Sequence, residues 1–181
     1  YNGYKILTFS TKNNNASIYA SDIKRLAGGA WAFNLHIAEQ STPIQLQLIG
    51  QHNVANALAA AGLAWACGLS LAHIQTGLNQ AQAAAGRMVL HRRGQMTVID
   101  DTYNASPVAS HEALAAIADL RVRGRKMAIL GDMKELGPLS KEAHRTVGKE
   151  CATILDSLVT VGPDAREIAL GAQEAGMMHV R

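Results

Sequence analysis

The sequence predicts an α/β protein in two unequal pieces: short strands plus helices first, then a Rossmann-like parallel sheet that stops before its last strands. Three observations carry that expectation. Residues 5–49 hold short β-like runs punctuated by Asn, Gly and Pro, residues 50–68 form an alanine-rich helical stretch, and from Gly86 strands and helices alternate. Alternation at this spacing implies βαβ units and hence parallel pairing.

The elements follow in chain order. "KILTFS" (5–10), "ASIYA" (16–20), "WAFNLHI" (31–37) and "IQLQLI" (44–49) read as strands of an antiparallel arrangement. In "GQHNVANALAAAGLAWACG", Val54, Leu58, Ala61 and Trp65 share one helical face, and Gly68 fits the stop. A shorter helix covers Leu71 to Asn79. The strand "MTVID" (96–100) then leads to a helix at 107–121, "MAILG" (127–131) to a helix at 140–153, and "LVTVG" (158–162) to a helix at about 164–175. "MHVR" begins one more strand. Ser106 and Pro107 mark a helix start, a hydroxyl N-cap followed by proline at the first helical position.

Composition narrows the class. The chain has 181 residues, 48% of them hydrophobic, and a net charge of +3 that is too mild and too scattered to argue for a nucleic-acid partner. Aromatics are 4%, too few for stacking platforms. The longest apolar run, Ala57–Leu69, is shorter than a membrane span, and no signal-peptide pattern is present. Cys67 and Cys151 read as buried thiols of a reducing compartment. A start at Tyr-Asn-Gly-Tyr, without methionine, reads as the start of a fragment.

The stretch "VIDDTYNASP" (98–107) places paired carboxylates at the end of a buried strand, just before a helix. In parallel sheets ligands gather at the carboxyl ends of strands, so Asp100, Asp101 and the loop "GDMKELG" (131–137) are expected to open on one edge. The alternative is that the acids only cap a turn. His52, Asn53 and Asn56 cluster at the start of the alanine-rich helix. Asn53 fits an N-cap, whereas Asn56, one turn inside, suits recognition of a ligand edge. Arg87, between the two pieces, is either a solvated linker residue or a guanidinium reaching a ligand. His144 reads as a surface histidine, and no His or Cys spacing suits a metal. A phosphate-binding loop of the Gly-Lys-Ser/Thr type is missing: Gly148-Lys149 is followed by Glu150, and Ala143 stands where the first glycine belongs.

Taken in order, "GQHNVANALAAAGLAWACG", "GRM", "VIDDTYNASP" and "AILGDMKELGPLSKEAH" resemble the Mur ligase family. Within it, the DDTYNASP and GDMKELG signatures resemble the branch that adds D-alanyl-D-alanine to UDP-N-acetylmuramoyl-tripeptide. The resemblance implies that residues 1–86 are the rear of a central ATP-binding domain and 87–181 an incomplete Rossmann-like C-terminal ligase domain. It implies ATP as co-substrate, Mg2+ held by residues outside this chain, an acyl-phosphate intermediate and a cytoplasmic, monomeric enzyme of peptidoglycan synthesis. Carried over residue by residue, His52, Asn53 and Asn56 would line the adenine, and Arg87 would reach ribose and phosphates. Asp101 would hold ribose hydroxyls or orient Arg87, and Tyr103 and Asn104 would face the γ-phosphate and the incoming dipeptide. With its phosphate loop elsewhere, the isolated chain is expected to be inactive. The alternatives are a folylpolyglutamate- or cyanophycin-synthetase-like ligase of the same superfamily, or a non-catalytic Rossmann-like binding module.

Overall fold

The computed structural model describes residues 6–181. Lys5, the first residue of the "KILTFS" run, lies outside the described residues. Two compact units divide the chain, residues 1–84 and 85–181.

The first unit is a four-stranded sheet covered by two helices. Its strands are β1 (Phe9–Ser10), β2 (Ile18–Arg25), β3 (Trp31–Ile37) and β4 (Gln40–Leu46), paired in that order. β2, β3 and β4 run antiparallel as expected, but β1 pairs parallel to β2, with Phe9 beside Ile18. Only two residues of "KILTFS" join the sheet, and the expected fourth strand begins earlier, at Gln40. The reason is the tight β3–β4 turn. Ala38 and Glu39 both adopt positive φ (48° and 63°), the two-residue geometry whose twist matches the strands, and this fixes Ile37 against Gln40.

Trp31, Phe33, Leu35 and Ile37 alternate inward along β3 and are buried. Against them pack Val54, Ala57, Leu58 and Ala61 from α1 (His52–Ala66), and Ile74 and Leu78 from α2 (Leu71–Asn79). Gly68 ends α1 at φ +87, with its amide donating to the Trp65 carbonyl and the next amide to Ala64, so the left-handed residue satisfies the helix's last carbonyls. Cys67, just before it, is exposed rather than buried, because it caps the helix end and leaves the apolar stripe. On edge strand β4, the Gln45 amide donates to Asn79 Oδ1 at 2.8 Å, which occupies an otherwise open edge donor.

The second unit starts with a hairpin. β5 (Val89–Arg93) pairs antiparallel with β6 (Met96–Asp100) around Gly94–Gln95, Gly94 supplying φ +57 at the first turn position. The strand expected to open the parallel sheet therefore belongs to a separate two-stranded sheet. Parallel pairing in this unit joins β7 (Met127–Gly131) to β8 (Ser157–Val161), and Val180 adds a parallel bridge to Leu158. Between them run α3 (Pro107–Asp119), α4 (Ser140–Ile154) and α5 (Arg166–Glu174). Ser106 Oγ accepts from the Ala109 amide and Pro107 occupies the first turn, as the sequence predicts. Leu114, Met133, Val147, Cys151, Leu158 and Ile168 form this unit's core. Gly148 and Gly171 let α4 and α5 touch backbone to backbone: a Cβ on either would overlap a carbonyl of the other helix.

Candidate functional site

In the second unit, residues 86–88 are strapped to residues 101–103. The Tyr103 amide donates to the Gly86 carbonyl at 3.0 Å, and the Met88 amide donates to Asp101 Oδ1 at 3.1 Å. Gly86 sits at φ +68, and a Cβ there would come within 3.0 Å of the Tyr103 nitrogen, so glycine is required by both space and conformation. Met88 adopts φ +52 although it is not glycine, and it is buried. Non-glycine residues hold this conformation when their surroundings over-determine it, and the Asp101 carboxylate supplies the restraint.

Arg87 lies between these two ties. Its guanidinium carbon stands 4.1 Å over the centroid of the Tyr103 ring. Both side chains are exposed, so the flat cation is pre-placed while its N–H groups remain available to a phosphate. Asp101 makes no ion pair with Arg87; its restraint acts one residue on, through the Met88 backbone. Asp100 does what the turn-capping alternative describes. Its Oδ1 accepts from Thr102 Oγ1 at 2.7 Å and from the Thr102 amide at 3.2 Å, and these bonds hold its carboxyl below the usual range. Asn104 is exposed just beyond.

The loop 131–137 leaves the carboxyl end of β7. Asp132 Oδ1 accepts from the Ala165 amide at 2.7 Å, and its Oδ2 pairs with Lys134 Nζ at 2.7 Å. Lys134 chiefly holds the Asp132 carboxyl down, and the two carboxylates of Asp132 and Asp164 raise Lys134. Asp100 and this loop do not end strands of one sheet, since β6 lies outside the parallel pair. The link runs through α3, where Ser110 Oγ reaches Met133 Sδ at 3.7 Å. His144, which the sequence places on the surface, is fully buried. The signal was its place on the inward stripe of α4, in register with Val147 and Cys151.

In the first unit, Asn53 is not the N-cap of α1. Gln51 precedes the helix, and Asn53 Nδ2 donates back to the Ile49 carbonyl at 2.7 Å. Its Oδ1 takes a hydrogen bond from Asn56 Nδ2 at 3.0 Å. Exposed Asn56 thus keeps an amide oxygen and a second N–H, a donor and acceptor side by side as an adenine edge requires. The His52 ring packs over Gly50, whose φ of +92 and bare Cα make the room. Among the described residues, no three His, Cys, Asp or Glu side chains gather so as to hold a metal ion. No helix among them is long and apolar enough to cross a membrane.

Comparison with known proteins follows the same division. Residues 1–64 match the Mur ligase middle domain, and residues 86–181 match the Mur ligase glutamate ligase domain. The chain is 32% identical, over 91% of its length and 36% of the relative's, to the UDP-N-acetylmuramoyl-tripeptide–D-alanyl-D-alanine ligase of Escherichia coli K12. It superposes on MurF from Acinetobacter baumannii with a TM-score of 0.85 at 34% identity, covering 97% of this chain and 37% of that one. MurF from Thermotoga maritima, in complex with ADP, gives a TM-score of 0.76 at 25% identity over 90% of this chain and 37% of its own. The chain spans about a third of the length of these relatives.

Proposed function

This chain belongs to the Mur ligase family, and we propose that it is part of an ATP-dependent ligase that joins D-alanyl-D-alanine to UDP-N-acetylmuramoyl-tripeptide in the cytoplasm, for peptidoglycan synthesis. What supports this reading is its likeness, along nine-tenths of its length, to relatives named for that activity. The restraint that pre-places Arg87 agrees with it. In such a ligase ATP phosphorylates the tripeptide carboxylate, the dipeptide amine attacks the acyl phosphate, and phosphate leaves.

The roles of this chain's residues follow from their chemistry. Asn56, with its amide fixed by Asn53, offers a donor and an acceptor to adenine, and His52 closes beside it. Arg87 supplies a delocalised positive charge toward the ribose and phosphates, where charge on oxygen builds during transfer. Asp101 holds the backbone that carries Arg87 and keeps its second oxygen for a ribose hydroxyl. Tyr103 and Asn104 are assigned to the γ-phosphate and the dipeptide, and the loop 131–137 to the dipeptide side. Mg2+ would neutralise phosphate charge. The described residues gather no ligand set for it, so no step is assigned to it through this chain.

The test is phosphate release by the complete enzyme. It should require ATP, the UDP-tripeptide and D-alanyl-D-alanine together, and the 181-residue chain alone should release none above background. Turnover by the isolated chain, or turnover by the complete enzyme without the dipeptide, contradicts the reading.

A further inference from the structure

Of the chain's seven histidines the proposed chemistry uses His52, and among the described residues His144 alone of the rest has no exposed surface. It stands in the first turns of α4. Its Nε2 accepts from the Met133 backbone amide at 2.9 Å, and its Nδ1 donates to the Ser140 carbonyl at 2.7 Å. One nitrogen accepts and the other donates, so the ring is a neutral imidazole with its proton on Nδ1. Met133 is itself 1% exposed, with its sulfur against Ser110 of α3. Its amide is therefore a buried donor whose acceptor is the imidazole, and such a donor is costly to leave unpaired.

The consequence lies in the rest of the loop. Asp132 is tied to Ala165 and Lys134, Met133 to His144, and the next residues turn outward, Glu135 at φ +65 and Gly137 at φ +53. Lys134 keeps 64% of its side chain exposed. A non-glycine left-handed residue persists where its surroundings over-determine it, and the Met133 anchor two positions before Glu135 is one such restraint.

We propose that His144 is the positioning residue for loop 131–137 and, through that loop, sets the enzyme's affinity for the D-alanyl-D-alanine dipeptide. The second half rests on the ligase reading given above. His144 touches no substrate. It fixes Met133, and Met133 fixes where Lys134 and Glu135 stand at the carboxyl end of the parallel strands, the end at which ligands gather in such sheets.

Two substitutions separate the bonds. His144→Gln places a carbonyl oxygen near the Nε2 position and keeps the Met133 bond. His144→Asn reaches only the Nδ1 position, keeping Ser140 and losing Met133. In the 181-residue chain, Met133 amide exchange should quicken about tenfold in His144→Asn and stay near the unaltered rate in His144→Gln, tenfold being about one lost hydrogen bond. In the complete enzyme, His144→Asn should raise KM for D-alanyl-D-alanine about tenfold while kcat and KM for ATP stay within about twofold, with His144→Gln again close to the unaltered enzyme.

Unchanged Met133 exchange in His144→Asn overturns the positioning role. Faster exchange with an unchanged dipeptide KM overturns the link to substrate. An unaltered complete enzyme that does not use the dipeptide overturns the ligase reading, and the exchange measurement still decides what His144 does. If neither variant folds, nitrogen NMR of the unaltered chain decides: a proton on Nδ1 supports the assignment, and a proton on Nε2 overturns it.

Discussion

The guanidinium of Arg87 rests 4.1 Å above the ring of Tyr103. The ring face is electron-rich, and an exposed pair of this kind is worth about 0.5–1 kcal/mol. The stack restricts a long, flexible cation. In the complete enzyme, any change in KM for ATP in Tyr103→Phe belongs to the hydroxyl, because that variant keeps the ring face. Tyr103→Leu removes it and should raise that KM about two- to fivefold, the same free energy expressed as affinity. Steady-state kinetics at varied ATP reads the difference. Equal values for both variants would mean that the stack positions nothing.

Asp101 and Asp100 are neighbours with separate duties, and substitution should divide them. Asp101→Asn keeps an oxygen for the Met88 amide but removes the charge. A charge-assisted contact to nucleotide would then be lost at about 1.5–3 kcal/mol, one to two decades in turnover. Asp101→Ala also frees the Met88 amide and should lower thermal stability, which Asp101→Asn should not. Asp100→Asn keeps an acceptor for Thr102 and should matter less to turnover. If the Asp100 variant proves the slower, Asp101 is not the residue that serves the nucleotide.

Acid should loosen the second unit by a defined route. Lys134, bonded to its carboxylate, holds Asp132 below the usual carboxylate range, and Arg145 does the same for Glu167 at 2.6 Å. A depressed carboxylate binds fewer protons folded than unfolded. Its contribution is therefore complete above the unfolded value, about pH 4, and is lost as pH falls through the lower folded value. Denaturant midpoints of the 181-residue chain should hold steady from neutrality to about pH 5 and fall below about pH 4. Asp132→Asn and Glu167→Gln should lower the neutral plateau and flatten the acid fall. A fall as steep as in the unaltered chain would exclude these pairs as its origin.

The two thiols should differ sharply. Cys67 is exposed at the end of α1, whereas burial pushes the Cys151 thiol up to about 12 and keeps it protonated within α4. A thiol reagent at neutral pH should label Cys67 in the folded chain and reach Cys151 only on unfolding, as read by intact mass. Rapid double labelling of the folded chain would contradict this packing.

Much of this architecture is legible in the sequence because local rules and burial agree. The inward alternation of Trp31, Phe33, Leu35 and Ile37, the Gly68 helix stop and the Ser106–Pro107 cap each follow from short-range chemistry. Pairing partners are less legible. "MTVID" is a strand by pattern, but the glycine at 94 folds it back on residues 89–93, and no periodicity distinguishes that from a place in the parallel sheet. Arg87, Asp101 and Tyr103 are singled out by motif and the fold brings them together, yet the tie from Asp101 runs to the Met88 backbone, which composition cannot reveal. At His144 a polar type on a helix suggests a surface, and the structure buries it. Its register with Val147 and Cys151 was the better guide.

If this chain serves an acyl-phosphate ligase whose acceptor is D-alanyl-D-alanine, an oxygen atom must pass from the tripeptide to phosphate. The most direct measurement supplies the complete enzyme with UDP-tripeptide carrying heavy oxygen in its terminal carboxylate, together with ATP and the dipeptide, and follows both products by mass spectrometry. Passage through an acyl phosphate moves one carboxylate oxygen to phosphate, so heavy phosphate is expected in equal amount to UDP-N-acetylmuramoyl-pentapeptide. Unlabelled phosphate, or a product extended by some other amino acid in place of the dipeptide, would contradict it.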